Sequence, residues 1–261
     1  NEFFPIRTDI VISQLEEANL LPSLNSPEAS SGGNNYLNGK YELASGIQLT
    51  LENTNSGGVL YYTLNGKDPR LIGGNVAGYA VNAGNGITLS INASSLIKAR
   101  VLRNGEWSPI RDITYLLNND NYSKLKVTEI HYHPKDVIVG TDTTSGKSYE
   151  FIEFKNIGET ALDISGFVLD SAIYCEFPPN SVLAPQAYFV AAAKPSKFYE
   201  MYGYVASANF SRSLSNGGEE ILLNDAQGNE VIRFTYDDQY PWPEEPDGSG
   251  PSMVSADNNP T

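Results

Sequence analysis

Cysteine is almost missing from this chain. Cys175 is the only one in 261 residues, so no disulfide closes within the chain and no thiolate metal site is available. Histidine is nearly as scarce, at His131 and His133. No apolar run approaches the roughly 20 residues that span a bilayer, so no membrane insertion is expected within this chain. The sequence opens Asn1-Glu2-Phe3-Phe4-Pro5, without a Met or a basic and apolar leader. That start reads as a mature product or a cut segment. Positive charge is also short: 17 Lys and Arg face 31 Asp and Glu, for a net charge of −14. The deficit is uneven, −3 over residues 1–122 and −11 over residues 123–261. Such a surface repels phosphate backbones and argues against nucleic acid. It suits cations, cationic partners or simple solubility.

Catalytic signatures are missing as well. There is no Gly-x-Ser-x-Gly elbow, and the two histidines have no nucleophile motif beside them. Ser31-Gly32-Gly33, Gly73-Gly74 and Gly84-Asn85-Gly86 do not sit between a strand and a helix as phosphate cradles do, so they read as loops.

Strands and turns fill the rest. One helix is expected over residues 9–18, with Thr8 or Asp9 as cap, Val11, Leu15 and Ala18 on one face, and Asn19 and Pro22 as stop. A shorter one is expected at 196–201, between Pro195 and Gly203. In the first half, 59–63 and 87–91 read as strands, and 96–103 with 106–108 reads as a hairpin about Asn104-Gly105. The polar stretch 117–123 marks a boundary. In the second half, strand runs fall at 125–132, 150–155, 161–169, 187–192, 220–223 and 230–236. Asp225 to Gly228 turns the last pair. Short strands on this rhythm imply β-sandwiches.

Five motifs punctuate the second half. They are Val127-Thr128-Glu129-Ile130-His131-Tyr132-His133-Pro134; Phe151-Ile152-Glu153-Phe154-Lys155-Asn156-Ile157-Gly158; Leu162-Asp163-Ile164-Ser165-Gly166-Phe167; Leu214-Ser215-Asn216-Gly217-Gly218-Glu219; and Trp242-Pro243 through Gly250-Pro251-Ser252. In this order they resemble the bacterial lamin-tail domain, an immunoglobulin-like sandwich, over roughly residues 123–256. The resemblance implies a last strand at 252–255. In the first half, Tyr61-Tyr62-Thr63-Leu64-Asn65-Gly66-Lys67-Asp68-Pro69-Arg70, then Ile97 to Val101, then Glu106-Trp107-Ser108, resemble the small C-terminal sandwich of chitobiase and related hexosaminidases. That likeness is to the accessory module, so no sugar-cleaving residues carry over. The pair in this order is similar to segments of large exported bacterial proteins.

Candidate sites are few. His131 and His133 share a strand face at i and i+2, a geometry that suits zinc. Two ligands are too few, and the plainer reading is a strand end stopped by Pro134. Asp237, Asp238, Glu244, Glu245 and Asp247 crowd into eleven residues without Lys or Arg, as calcium would ask. Their spacing fits no calcium loop. Pro241, Pro243 and Pro246 are expected to hold the segment extended, so a solvated acidic loop is the plainer reading. Calcium is the one cofactor suggested. Tyrosine is abundant, at 16 residues, and most should pack across strands. Tyr61, Tyr62 and Trp107 are expected in the first core or at its rim. If a glycan face exists, Tyr36, Tyr41 and Tyr79 are its candidates.

The sequence therefore reads as all-β: two immunoglobulin-like β-sandwich domains in series with a short N-terminal helix. Residues 1–30 form the lead-in, 31–117 the first sandwich, 118–123 a linker and 124–261 the second sandwich. The expected role is a non-catalytic accessory, interaction or spacer module of an exported or cell-surface bacterial protein. Its partner would be a protein or a cell-surface glycan. The alternative is a carbohydrate-binding module serving a glycoside-active or kinase-like enzyme outside this chain.

Overall fold

The structure, a computed structural model, describes residues 10–11, 13–15, 17–18, 21–117 and 121–256. It is all-β and divides into two compact units, Asn1–Asn118 and Asn119–Thr261. Of the expected first helix, Thr8, Asp9 and Asn19 lie outside the described residues. Ile10, Val11, residues 13–15 and Glu17 are helical, and the Ala18 amide donates to the Gln14 carbonyl at 3.1 Å.

The first unit begins its sheets earlier than the sequence suggested. Strand β1 (Glu28–Ser31) pairs with β2 (Asn34–Asn35) and with β4 (Ile47–Glu52), and β4 pairs with β7 (Gly86–Ile91). Ala29 of β1 is buried in the core, so the lead-in ends before residue 28. The second sheet runs β3 (Gly39–Leu43), β10 (Arg111–Leu117), β8 (Ser95–Arg103), β5 (Val59–Thr63) and β6 (Val81–Gly84), with β9 (Glu106–Trp107) hairpinned onto β8. The expected Asn104-Gly105 turn is there, with φ of 52° and 85°. Leu49, Leu51 and Ile91 from one sheet meet Leu60, Ile97, Ile113 and Tyr115 from the other. Arg100 clamps Asp68 through two nitrogens and also donates to the Ser108 carbonyl at 2.7 Å, tying the 68–70 turn to the hairpin.

The second unit stacks two sheets over one core. The first sheet runs β20 (Ala208–Asn209), β19 (Tyr188–Ala192), β14 (Phe151–Asn156), β11 (Leu125–His131) and β23 (Met253–Val254). The facing sheet runs β17 (Tyr174–Glu176), β16 (Val168–Asp170), β21 (Glu219–Asn224) and β22 (Glu230–Tyr236). Two short pairs complete it: β12 (Val137–Val139) with β13 (Asp142–Thr144), and β15 (Leu162–Asp163) with β18 (Val182–Leu183). The expected strand 161–169 is thus two strands with a turn between. Asp163 Oδ1 accepts from the Ser165 amide at 3.0 Å and hydroxyl at 2.5 Å, and Gly166 takes φ 69°, so the chain reverses there. Helix α1 (Pro195–Tyr202) starts on proline and ends at Gly203 in the left-handed region. Its Phe198 packs edge-on against Phe151 on the outer face of the first sheet.

Strand parity explains which side chains go inward. On β14, Ile152 and Phe154 enter the core while Phe151 faces the helix. The same parity turns Glu150 and Asn156, at the two ends, toward the interior. On β11 the register shifts between Val127 and Glu129. Leu125 and Val127 point inward before this bulge, Ile130 and Tyr132 after it.

Asn156 is fully buried and fully used. Its amide nitrogen reaches the carbonyls of Thr160, Leu183 and Ala184 at 2.7, 3.0 and 3.2 Å, and its oxygen accepts from the Gly158 amide at 2.9 Å. Replacing Asn156 by Ala strands these groups without water, and should destabilise the second unit by roughly 3–5 kcal/mol. Each unit holds one tryptophan, Trp107 and Trp242. Urea unfolding in a Trp107→Phe background, followed through Trp242 fluorescence, measures this unit. A loss under about 1 kcal/mol would show that the amide is not a structural centre.

Candidate functional site

Polar groups converge in the second unit on a cavity of about 120 Å³ lined by Tyr132, His133, Pro134, Asp136, Ser145, Gly146, Lys147, Glu150 and Asn216. These residues come from far apart in sequence. Tyr132 to Pro134 follow the end of β11. Asp136 and Ser145 flank the β12–β13 hairpin. Gly146 and Lys147 open a 3₁₀ turn, Gly146–Tyr149, that leads into Glu150 and β14. Asn216 belongs to the Leu214–Glu219 turn before β21.

Gly146 holds two of these walls together. A Cβ there would overlap the Pro134 carbonyl oxygen, so only glycine allows the approach. Its amide donates to Asp136 Oδ1 at 2.7 Å.

Two lining side chains are buried with a polar atom left over. Glu150 is 1 % exposed; its Oε2 accepts from the Leu214 amide at 2.9 Å, while Oε1 has no hydrogen-bond partner. Tyr132 is fully buried and its hydroxyl has none either. Burial pushes the Glu150 carboxyl up to about 7, against the opposing pull of the Leu214 amide and Lys147. Burial, reinforced by the charges of Asp247, Asp238 and Asp237, pushes the Tyr132 phenol up to about 12. Behind it lies Tyr236, ring centroids 5.0 Å apart, with its hydroxyl 2.8 Å from the Ser215 carbonyl and 3.0 Å from Glu219 Oε1.

The two histidines do not act together. His131 is buried on the outer face, its Nδ1 3.0 Å from the Tyr202 hydroxyl and its ring edge-on to Phe151. Burial pulls its pKa down to about 4. His133 stands at the cavity rim, with Nδ1 2.5 Å from Asp247 Oδ1.

The acidic segment is turned rather than extended. Trp242 donates its amide to the Gln239 carbonyl and Asp247 to that of Glu244, at 3.0 and 3.1 Å, so Pro241 and Pro246 sit within tight turns and Pro243 joins the two. Asp237 Oδ1 accepts from the Gln239 amide, Asp238 from the Gln239 side chain, and Asp247 turns to His133. Glu244 and Glu245 are exposed. Among the described residues no three His, Cys, Asp or Glu side chains are grouped to hold a metal ion.

The aromatic candidates fall in the first unit. Tyr41 is on strand β3, not in a loop, and Tyr36 follows β2. Both are half-buried, stacked edge-on to each other at 5.0 Å and packed against Tyr115 at 5.9 and 5.3 Å. Tyr79 is 44 % exposed, but Lys67 Nζ stands 5.5 Å from its ring centre. Tyr62 and Trp107 are buried, and Tyr61 packs on Trp107 at 5.8 Å.

The sequence reading passed over Glu150, Tyr132 and Asn216. For Glu150 a signal existed: a charged residue in phase with Ile152 and Phe154 faces inward. For Tyr132 the signal was hidden, because the β11 bulge reverses the phase.

Comparison with known families bears on this unit. The Lamin Tail Domain family matches residues 118–238. That family is a non-catalytic, immunoglobulin-like domain. The match takes in every strand of the second unit except β23 and ends before most of the acidic segment. No curated protein matches the chain.

Two outcomes follow. The folded pKa of Glu150 lies above its unfolded value, so its share of stability is present at low pH and is lost as pH rises from about 4.5 to about 7. His131 has the opposite sign: its depressed folded pKa costs stability as pH falls from about 6.5 toward 4. The two largely cancel in the wild-type chain. Glu150→Gln should stabilise the second unit by on the order of 2–3 kcal/mol at pH 8 and change little at pH 4.5, read by urea unfolding. Equal effects at both pH values would contradict the burial argument. Because the acidic side chains are turned apart, millimolar calcium should leave the melting temperature unchanged; a saturable rise would reveal a site the geometry does not contain.

Proposed function

We propose that this chain is a non-catalytic interaction module of an exported or cell-surface protein, and that its second unit meets a polypeptide partner at the loop end around Tyr132 and Glu150. The observation that carries this reading is the convergence on one cavity of three stretches far apart in sequence, residues 132–136, 145–150 and Asn216. Among its lining residues no nucleophile is hydrogen-bonded to a base, which favours contact with a partner over transformation of a substrate. The lamin-tail match over residues 118–238 supports an accessory role. The charge imbalance of the second half favours a cationic partner over nucleic acid.

For the first unit we propose a chitobiase C-terminal-type accessory sandwich. The strand Val59–Thr63, the Asn65 turn and the β8–β9 hairpin carry the residues of that likeness. The fit with segments of large exported bacterial proteins supports an extracellular setting. A carbohydrate-binding role is the less favoured reading. Tyr36 and Tyr41 are engaged with the core, and the face of Tyr79 is shared with Lys67.

A two-arm binding experiment separates these readings. The whole chain is offered to a displayed random peptide library and to a glycan array. The expected result is peptide enrichment that disappears with Gly146→Ala or Asn216→Trp in a chain whose first unit still folds, and no glycan signal. Saturable glycan binding without peptide enrichment would overturn the proposal in favour of a carbohydrate module.

A further inference from the structure

A sheet that ends in an open strand readily adds another, and natural edges are guarded by charge, bulges or shortness. Most edges of this chain are guarded so. In the second unit β20, β23 and β17 have two or three residues, and β22 carries Glu230 and Arg233. In the first unit β2 has two residues, β6 is short and pairs with β5 through a register shift, and β3 carries Lys40 and Glu42. β7 has none of these guards. Its six residues, Gly86–Ile91, include no charge and no proline, and all pair with Ile47–Glu52 of β4 without a slip. Among the described residues, no strand pairs with its other edge.

The open edge shows in the burial. Leu49 and Leu51 of β4 are fully buried, whereas their register partners Leu89 and Ile87 on β7 are half-buried against the same core. β4 has a neighbour on each side, and β7 has one. Thr88 and Ser90 are exposed on the other face, where Thr88 Oγ1 lies 3.0 Å from that of Thr50 and Ser90 Oγ accepts from Gln48 at 2.9 Å. The strand is also complementary to itself. Ile87-Thr88-Leu89-Ser90-Ile91 keeps its order of apolar and hydroxyl side chains when read backwards. An antiparallel copy centred on Leu89 sets Ile87 against Ile91, Thr88 against Ser90 and Leu89 against Leu89. A twofold axis perpendicular to the sheet keeps the apolar side chains of both copies on the core side. No like charges meet there, because the one charged residue of β4, Glu52, stands opposite Gly86 at the strand's end. Net charge is −3 over residues 1–122 against −11 over residues 123–261, so the first half is the one that tolerates a second copy better.

We propose that β7 is a self-association edge, on which a second copy of this chain pairs antiparallel about a twofold axis at Leu89. The four-stranded sheets of the two copies then join edge to edge into one. Backbone hydrogen bonds along the edge make the contact, and Ile87 and Leu89 gain the cover they lack. Pairing of one short strand falls below the roughly 1,200–2,000 Å² of stable interfaces, so the dimer is weak, with Kd on the order of 100 micromolar.

Sedimentation equilibrium of the whole chain, from about 5 micromolar to about 1 millimolar, reads the association. Expected is a monomer–dimer equilibrium, with the β7 amides exchanging more slowly with solvent as concentration rises. Two double variants test the register, and both change only exposed side chains. Thr88→Lys with Ser90→Lys sets lysine against lysine at both positions and should weaken the dimer at least about tenfold. Thr88→Lys with Ser90→Glu sets lysine against glutamate twice and should restore the dimer or tighten it. Thermal unfolding of each variant checks that the chain is folded. A wild-type chain that stays monomeric over the whole range would overturn the proposal. So would a dimer indifferent to the lysine pair, a dimer lost in both variants, or concentration-dependent protection of another edge strand in place of β7.

Discussion

Polar groups placed in the inward register of a core strand decide how the second unit is built. One is Asn156, the last residue of β14, and the other is Glu150, just before its first, and the two are treated differently. At Asn156 the burial is answered in full: three carbonyls and one amide are bound, so the loops at 157–161 and 183–184 are fixed by one side chain. At Glu150 it is answered by half. One oxygen anchors the Leu214 turn, and the other is buried without a hydrogen-bond partner. A satisfied network makes one end of the strand rigid architecture. A half-satisfied one leaves the opposite end with the cost of a buried oxygen that has no partner. The contrast between Asn156 and Glu150, on either side of β14, thus separates the firm end of this unit from the end that bears the candidate site.

Much of the architecture was legible because turns and strands announce themselves locally. Asn104-Gly105, Asp225 to Gly228, Pro195 and Gly203 each act within a few residues of their own position, and each is found where the local chemistry puts it. The run 161–169 was misread for an instructive reason. Its apolar residues suit a strand, but Asp163 with Ser165 and Gly166 forms a turn whose hydrogen bonds override that preference. The first strand, Glu28–Ser31, was missed because its composition is plain and its support comes from β4, some twenty residues away.

The candidate site was much less legible, and the β11 bulge shows why. Periodicity is trustworthy only while the register holds. Between Val127 and Glu129 one residue slips, and every later side chain changes face. Read without the slip, His131 and His133 look like an inward ligand pair and Tyr132 like an outer residue. With it, Tyr132 enters the core beside Tyr236, and His131 goes to the helix face with Tyr202. The tyrosines of the first unit teach the complementary point. Tyr36 and Tyr41 sit in a sequence rich in Gly and Asn, yet Tyr115 opposite gives them a packing partner that only the parallel pairing of β3 with β10 brings near.

The acidic segment reaches the cavity by topology. β22 ends at Tyr236 in one sheet, while β23 must join the free edge of β11 in the other. The chain between them has to cross from sheet to sheet, and the end it crosses is the one where β11 delivers Tyr132 and His133. Asp237 and Asp238 therefore lie close enough to act on Tyr132, and Asp247 meets His133. Gly248 is compatible with that meeting because an added Cβ would stand 3.1 Å from the imidazole. The same crossing explains why no three His, Cys, Asp or Glu side chains gather at one point among the described residues. Residues spread along a bridging segment are each taken by the nearest anchor, backbone amides for Asp237 and an imidazole for Asp247. Their combined negative field remains at that end of the unit, where it reaches Tyr132. A series of acidic residues that looks in sequence like a candidate ion site forms in the fold a negative rim beside Tyr132 and His133.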